Sequence, residues 1–284
     1  MLLGFKTELI LNNQQRTALM KHCGVARHAW NWGLALTKQI LDHNKMNPDA
    51  KIKFPTAIDL HKWLVALVKP ENKWYYECSK STPQEALRAL RESWKRCFNK
   101  TAAVPKFKKK GKHDSFTLEG TVKILSSNKI QVPVIGVLRT YERLPQVLIK
   151  SCTISRQADR WFISFRFDVN PDSIEYEDTW FFPGDSVVGV DLGVKNLATL
   201  STGQVITGAK SYKKYSAKLS RMQWLNRDQI IGSSNWKKAQ MRIARLHRKI
   251  ANIRKDTLHK LTTLLAKNHG TVVIEQLRRQ GDDG

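Results

Sequence analysis

The sequence predicts an α+β multidomain fold: a small β-barrel interrupted by an inserted helical bundle, then an α/β portion carrying a long helical hairpin. Three observations predict it. Apolar residues step by three and four between residues 19 and 41 and again between 87 and 98, as one face of a helix does. After residue 112 the period falls to two, as in a half-buried strand. From residue 186 short apolar runs, two long helical stripes and a last apolar run follow one another. At 284 residues and 41% hydrophobic, the chain has material for two or three packed domains.

Each element has its own signal. Residues 2–11 (LLGFKTELIL) alternate loosely and read as one strand. Asn12 and Asn13 then offer a helix cap, and Leu19, Cys23, Ala26, Trp30, Leu34, Thr37 and Leu41 form the stripe of the helix that follows. Residues 44–55 form a loop, and a second helix spans 57–68, ended by Pro70. In the third helix Thr82 stands at the cap, Pro83 at the first helical position and Glu85 three residues after the cap. Its stripe is Leu87, Leu90, Trp94 and Phe98. A basic loop, PKFKKKGK (105–112), comes next. Short strands follow at 115–118, 121–125 and 129–134, and a hairpin joins 147–155 to 161–169 across Gln157–Arg160. Residues 1–11 and 106–169 then make the barrel, and 12–105 the insertion.

Residues 170–185 are acidic and rich in turn formers, a linker. Strands are expected at 186–193, 196–200 and 205–207, the last two joined by the turn 201–204. In the helical hairpin, one arm carries Tyr212, Tyr215, Leu219 and Met222. The other carries Trp236, Ala239, Ile243, Leu246, Ile250 and Ile253. Both arms step three, four, three, the spacing of a coiled-coil seam. The turn is placed at 232–235, the end of the second arm at 268–270, and a final strand at 271–277 (TVVIEQL).

The formal net charge of +25 points to a polyanionic partner, because each phosphate contact releases condensed counterions. Nucleic acid is the first candidate. An anionic membrane surface is the second, but no long basic helix has a clean apolar face for it, and no apolar run approaches the roughly 18 residues of a membrane span. The densest cationic cluster is Lys106, Lys108, Lys109, Lys110 and Lys112, where Phe107 is placed to stack on a base or sugar. A second cationic set lies on the outer faces of the hairpin: Lys213, Lys214, Arg221, Lys237, Lys238, Arg242, Arg245 and Arg248. The four cysteines, Cys23, Cys78, Cys97 and Cys152, form no Cys-x-x-Cys pair, so no zinc site is expected. His22, Cys23 and His28 fall in a helical apolar pattern, where core packing outweighs metal binding. Isolated cysteines without a signal peptide point to a reducing cytoplasm.

Two apolar strands each hold one carboxylate. Asp191 interrupts VVGVDLGV, and Glu275 interrupts TVVIEQL. A buried, unpaired carboxylate costs several kcal/mol or becomes neutral. Three strands, a helical crossover and a fourth strand let the fourth lie parallel beside the first, which brings Asp191 and Glu275 together. A divalent cation relieves the repulsion of such a pair, and oxygen-only ligands suit Mg²⁺ or Mn²⁺. In a basic protein that combination suggests metal-assisted phosphodiester hydrolysis. The plain alternative is a pair of hydrogen-bonded structural groups. Sugar-kinase and actin-like ATPases also use Asp-x-Gly on a strand, but no glycine-rich phosphate loop follows residue 208.

The motifs GVARHAWNWGL (24–34), STPQEALRALRESWKRCF (81–98), PKFKKKGKHDSF (105–116), GVDLGVKNLATLS (189–201), SNWKKAQMRIARLHRKIANIRKDTLHKLT (234–262) and VVIEQL (272–277) resemble those of the TnpB (OrfB-type) proteins of insertion sequences. The resemblance covers essentially the whole chain. It implies a wedge-type, OB-like barrel, a helical recognition insertion containing a helix-turn-helix region, and an RNase H-like RuvC domain over 186–284. It implies binding of a guide RNA from the transposon end and Mg²⁺-dependent cutting of matching target DNA in a bacterial or archaeal cytoplasm. Association with the element's own transposase is implied too. Asp191 and Glu275 match two catalytic, metal-holding acids of the family. Its members continue into a zinc module and a third catalytic Asp. This chain stops at Gly284, so it reads as truncated, and nothing places Asp282 or Asp283 on the strand of the third acid. Guided binding is expected to survive and double-strand cutting to be weak. The competing expectation is a nucleic-acid-binding protein without catalysis, or a decayed remnant of the element.

Overall fold

A computed structural model describes residues 2–168, 186–193 and 195–275. The chain divides into two compact units, residues 1–173 and 174–284, each with cores of its own. The expected linker at 170–185 lies outside the described residues.

In the first unit, six strands close into a barrel in the order β1-β4-β3-β2-β5-β6. Strand β1 (Leu2–Ile10) pairs antiparallel with β6 (Arg160–Asp168) along most of its length, from Leu2↔Asp168 to Glu8↔Phe162, and meets β4 (Gly136–Thr140) at Leu9↔Thr140. Alternate residues fill the interior: Leu118 and Val122 from β2 (Ser115–Ser126), Ile130 from β3 (Lys129–Val132), Cys152 and Ile154 from β5 (Ile149–Gln157), Ile163 and Phe165 from β6. The sequence breaks β2 into two strands. The structure keeps it whole with a bulge between Glu119 and Val122, where Gly120 adopts φ +108°, a conformation other residues rarely reach. The expected strand at 129–134 is instead β3 and β4 joined by a turn at 133–135, with Gly136 at φ +87°. The β5–β6 hairpin turns at Ala158-Asp159, as expected.

Between β1 and β2 run the inserted helices. The first, α1, spans Asn13–Met46, and Asn12 and Gln15 form a reciprocal capping box at its start. Helix α2 (Ala57–Trp63) has a second box, Thr56 with Asp59, and passes into a π turn at Leu64–Val68. A 3₁₀ turn, Lys73–Glu77, precedes α3 (Ser81–Phe98). The expected Thr82 cap does not form. The helix starts two residues earlier, at Ser81 with Lys80 as its N-cap, and the buried Thr82 hydroxyl has no partner among the described residues. His22, from α1, accepts the Ser79 backbone N–H (3.1 Å), and the Ser79 and Ser81 hydroxyls bond each other (3.0 Å), so a remote side chain sets the entry to α3. Helices and barrel share one apolar core. Residues 2–46 hold one strand and one uninterrupted helix, with no turn between two helices.

In the second unit a four-stranded sheet runs β10-β7-β8-β9, formed by β7 (Val187–Asp191), β8 (Ala198–Leu200), β9 (Val205–Ile206) and β10 (Thr271–Ile274). Strand β10 is parallel to β7, the others antiparallel, the adjacency the element order predicts. Val188, Val190, Ala198 and Leu200 pack on Leu261 and Leu265 at the end of the long helix. That helix, α5 (Ser234–Asn268), pairs with α4 (Ser211–Leu225) through Leu219, Ile243, Leu246 and Ile250, with Tyr215 and Met222 against them. The centre of the seam is the expected one, but Tyr212 is exposed, and Trp236, Ala239 and Ile253 lie outside the buried cluster. The turn is longer, spanning 226–233, and Ser233 caps α5 by accepting the Trp236 N–H (3.2 Å).

Candidate functional site

The carboxylates sit where two parallel strands end. The β10–β7 register pairs Ile274 with Val190, and one further step sets Glu275 beside Asp191. Side chains alternate along a strand, so Asp191 and Glu275 share the face opposite Val190. The sequence suggests a buried carboxylate. The structure exposes both, because among the described residues the core covers the Val188/Val190 face. Neither forms an ion pair with a Lys or Arg among the described residues. They line one shallow depression with Gly189, Thr199, Ser201 and Val273. Thr199 pairs with Asp191 in register, and the Ser201 hydroxyl accepts the Gly189 N–H (3.0 Å). Sequence reasoning misses Thr199 and Ser201, although the alternation of ATLS opposite VVGVD is the signal for them. Among the described residues no three His, Cys, Asp or Glu side chains come together to hold a metal.

The basic loop is pinned to the insertion. Asn31 clamps the Lys108 backbone, donating to its carbonyl (3.0 Å) and accepting from its N–H (2.8 Å). Trp30 donates from Nε1 to the Lys106 carbonyl (3.1 Å). The clamp divides the lysines. Lys106, Lys109, Lys110 and Lys112 stay exposed, whereas Lys108 folds back with Nζ 4.0 Å from the Trp30 ring centre, and burial lowers its pKa. Phe107 is half-exposed, with Lys38 Nζ 5.2 Å from its ring centre. No sequence signal shows this docking, since the partners lie 76 and 77 residues apart. Asp114 anchors the far side of the loop. It is buried, accepts the Gly111 N–H (3.1 Å), and has Arg27 and Arg156 at 3.6 and 3.9 Å.

On the hairpin, Lys213, Lys214, Arg221, Lys237, Lys238, Arg242 and Arg245 are exposed and Arg248 is half-buried. His22 has both ring nitrogens in use, Nδ1 with the Ala18 carbonyl (2.8 Å) and Nε2 with Ser79. His28 Nδ1 meets the Tyr75 hydroxyl (2.7 Å). Burial pushes the Cys23 and Cys152 thiols up to about 12. These groups pack the core. Among the described residues no helix is long and apolar enough to cross a membrane.

Sheet and barrel together describe a strongly basic α+β protein with a carboxylate pair at parallel strand ends. Comparison with known families makes this specific. Residues 174–281 match the OrfB family model of IS605-type elements, described as "Probable transposase", and residues 1–46 match its helix-turn-helix domain. A relative in Escherichia coli K12, InsQ, named as a candidate RNA-guided DNA endonuclease, is 34% identical over 279 residues, 97% of this chain and 66% of that protein. A Mycobacterium tuberculosis protein named in the same way is 28% identical over 310 residues, again 66% of its length. A third, from Streptomyces pristinaespiralis, is 33% identical over 214 residues and half covered. The chain belongs to the OrfB (TnpB) family of insertion-sequence proteins and spans 66% of the length of the first two relatives. The stretch matched as helix-turn-helix is a strand and a single long helix here.

Proposed function

We propose that the chain is the guide-binding, target-recognising body of an RNA-guided DNA endonuclease. Its partners are the guide RNA from the transposon end and the matching DNA. The second unit is an RNase H-like (RuvC) domain whose Asp191 and Glu275 hold Mg²⁺ or Mn²⁺. The observation that carries the reading is the parallel β10–β7 pair, which sets two exposed carboxylates side by side in one depression among the described residues. The donor set fits a hard divalent cation: two carboxylates, no sulfur or imidazole, and neighbouring hydroxyls of Thr199 and Ser201. When bound, the metal supplies an activated water and charge stabilisation at the scissile phosphate. Asp191 and Glu275 position it, and Ser201 stiffens β7 by holding the Gly189 N–H. Guide pairing reads the target sequence, while exposed cations of the loop and hairpin neutralise phosphates.

A second reading, guided binding without cutting, is favoured by one observation. The described residues bring only two acids to the depression, and a two-metal site needs carboxylates to bridge and flank both ions. One experiment separates the two. The chain is purified with the guide RNA of its element, and Mn²⁺ binding and cleavage of a matched plasmid are measured for the parent, Asp191→Ala and Glu275→Gln. The endonuclease reading expects Mn²⁺ binding and nicking that both substitutions abolish while RNA affinity holds. Guided plasmid binding without any nicking supports the second reading. Mn²⁺ affinity untouched by Asp191→Ala rejects the metal site.

A further inference from the structure

The α4–α5 hairpin is basic along its arms and apolar at its tip. Trp224 and Leu225 end α4 with 61% and 58% of their surface exposed, and Ile230 and Ile231 in the turn are 81% and 82% exposed. The seam leaves these four out, since Leu219, Ile243, Leu246 and Ile250 form it with Tyr215 and Met222. Several large apolar side chains exposed at one helix end and in the short turn after it mark a contact surface. The surroundings specify its chemistry. Arg227 lies 3.8 Å from the centre of the Trp224 ring, which holds the indole from one side, and it also meets Asp228 at 3.1 Å. Arg221, near the end of α4, and Lys237 and Lys238, near the start of α5, are exposed cations. An exposed flat aromatic, with exposed aliphatic residues in the adjoining turn and exposed cations in the adjoining helix ends, complements a nucleobase flanked by phosphates. An apolar protein face would leave the cations unmatched.

We propose that this tip is a stacking contact for unpaired nucleotides. An extruded or single-stranded base lies on the exposed indole of Trp224, Ile230 and Ile231 cover its edge, and Arg221, Lys237 and Lys238 hold the adjoining phosphates. The proposal rests on the nucleic-acid reading above and adds which nucleotides the second unit selects: those out of a duplex.

The test uses the full chain and two probes, a short single-stranded RNA carrying 2-aminopurine and a fully paired duplex of the same length. Trp224→Ala is expected to weaken single-strand binding roughly 10-fold and to remove the 2-aminopurine quenching, with duplex affinity unchanged. Trp224→Phe restores most of both, and matching thermal unfolding curves show that the variants fold. Equal weakening for both probes, or unchanged single-strand binding by Trp224→Ala, overturns the stacking contact alone. A parent chain that binds neither probe overturns it together with the nucleic-acid reading. A parent dimer that Trp224→Ala converts to monomer at unchanged RNA affinity assigns the tip to self-association and also overturns it.

Discussion

Two glycines of α1 differ only in what surrounds them. A Cβ on Gly33 would lie 2.7 Å from Leu87 Cδ2 and 2.9 Å from Leu90 Cδ2, both on fully buried side chains, whereas one on Gly24 would meet nothing within 4 Å. Alanine favours a helix over glycine by roughly 0.5–1 kcal/mol, and overpacking a core costs about 1–3 kcal/mol. Gly24→Ala is therefore expected to stabilise the first unit and Gly33→Ala to destabilise it by about 1 kcal/mol net, opposite shifts of the urea midpoint. His22 supplies a second test. Burial lowers its pKa from the usual 6.5, more than its bond to the Ala18 carbonyl raises it, and burial also lowers His28 and His61. The unfolded chain then binds protons that the folded chain refuses. Stability is full above pH 6.5 and falls as pH drops from there toward the lowered folded pKa. His22→Gln keeps an acceptor for Ser79 and is expected to flatten the fall in urea midpoint between neutral and mildly acidic buffer.

The elements legible in the sequence are those whose reason is local. The α4–α5 seam follows from apolar residues three and four apart, and the Asn12 cap from residues within one turn. Where the reason is remote, the sequence misleads. The start of α3 is set by a histidine 57 residues away, and the barrel strand β4 (GVLRT) hides because its inward residues are Leu138 and the polar Thr140, while the apolar Val137 faces outward. At the site, the adjacency of Asp191 and Glu275 is legible from strand order. Their exposure is not, because an apolar strand can be covered on one face or on both. The seam is testable at its centre. Ile243→Asp places a charge between Leu219 and Leu246, at a cost of several kcal/mol. Amide exchange across α4 and the first half of α5 is expected to accelerate, while β1 and β6, packed on a different core, keep their protection. Unaltered exchange in α4 would refute the seam.

Over the whole molecule, the +25 charge belongs to no single segment, so RNA affinity is expected to fall steeply with salt. The structure sharpens which lysines contribute. Replacing Lys106, Lys109, Lys110 and Lys112 with Gln removes exposed cations. The slope of log K against log salt is expected to shrink by about 0.7 for each single-strand phosphate that is no longer neutralised. Lys108→Gln instead removes the cation over Trp30, so it is expected to lower the melting temperature and leave the slope alone. A slope unchanged by the fourfold variant rejects the loop as an RNA contact.

The barrel closes by joining its first strand to its last, Leu2 opposite Asp168, with three helices between. On the ribosome, β1 leaves the exit tunnel well before any strand it pairs with. At roughly 5–20 residues per second, it waits about ten seconds or more for β6. Helices α1 to α3 form from near neighbours in that interval and present their apolar faces before the barrel exists to cover them. Synthesis paused before residue 160 thus leaves a nascent chain with an unpaired edge and a half-covered core, a state suited to chaperone capture.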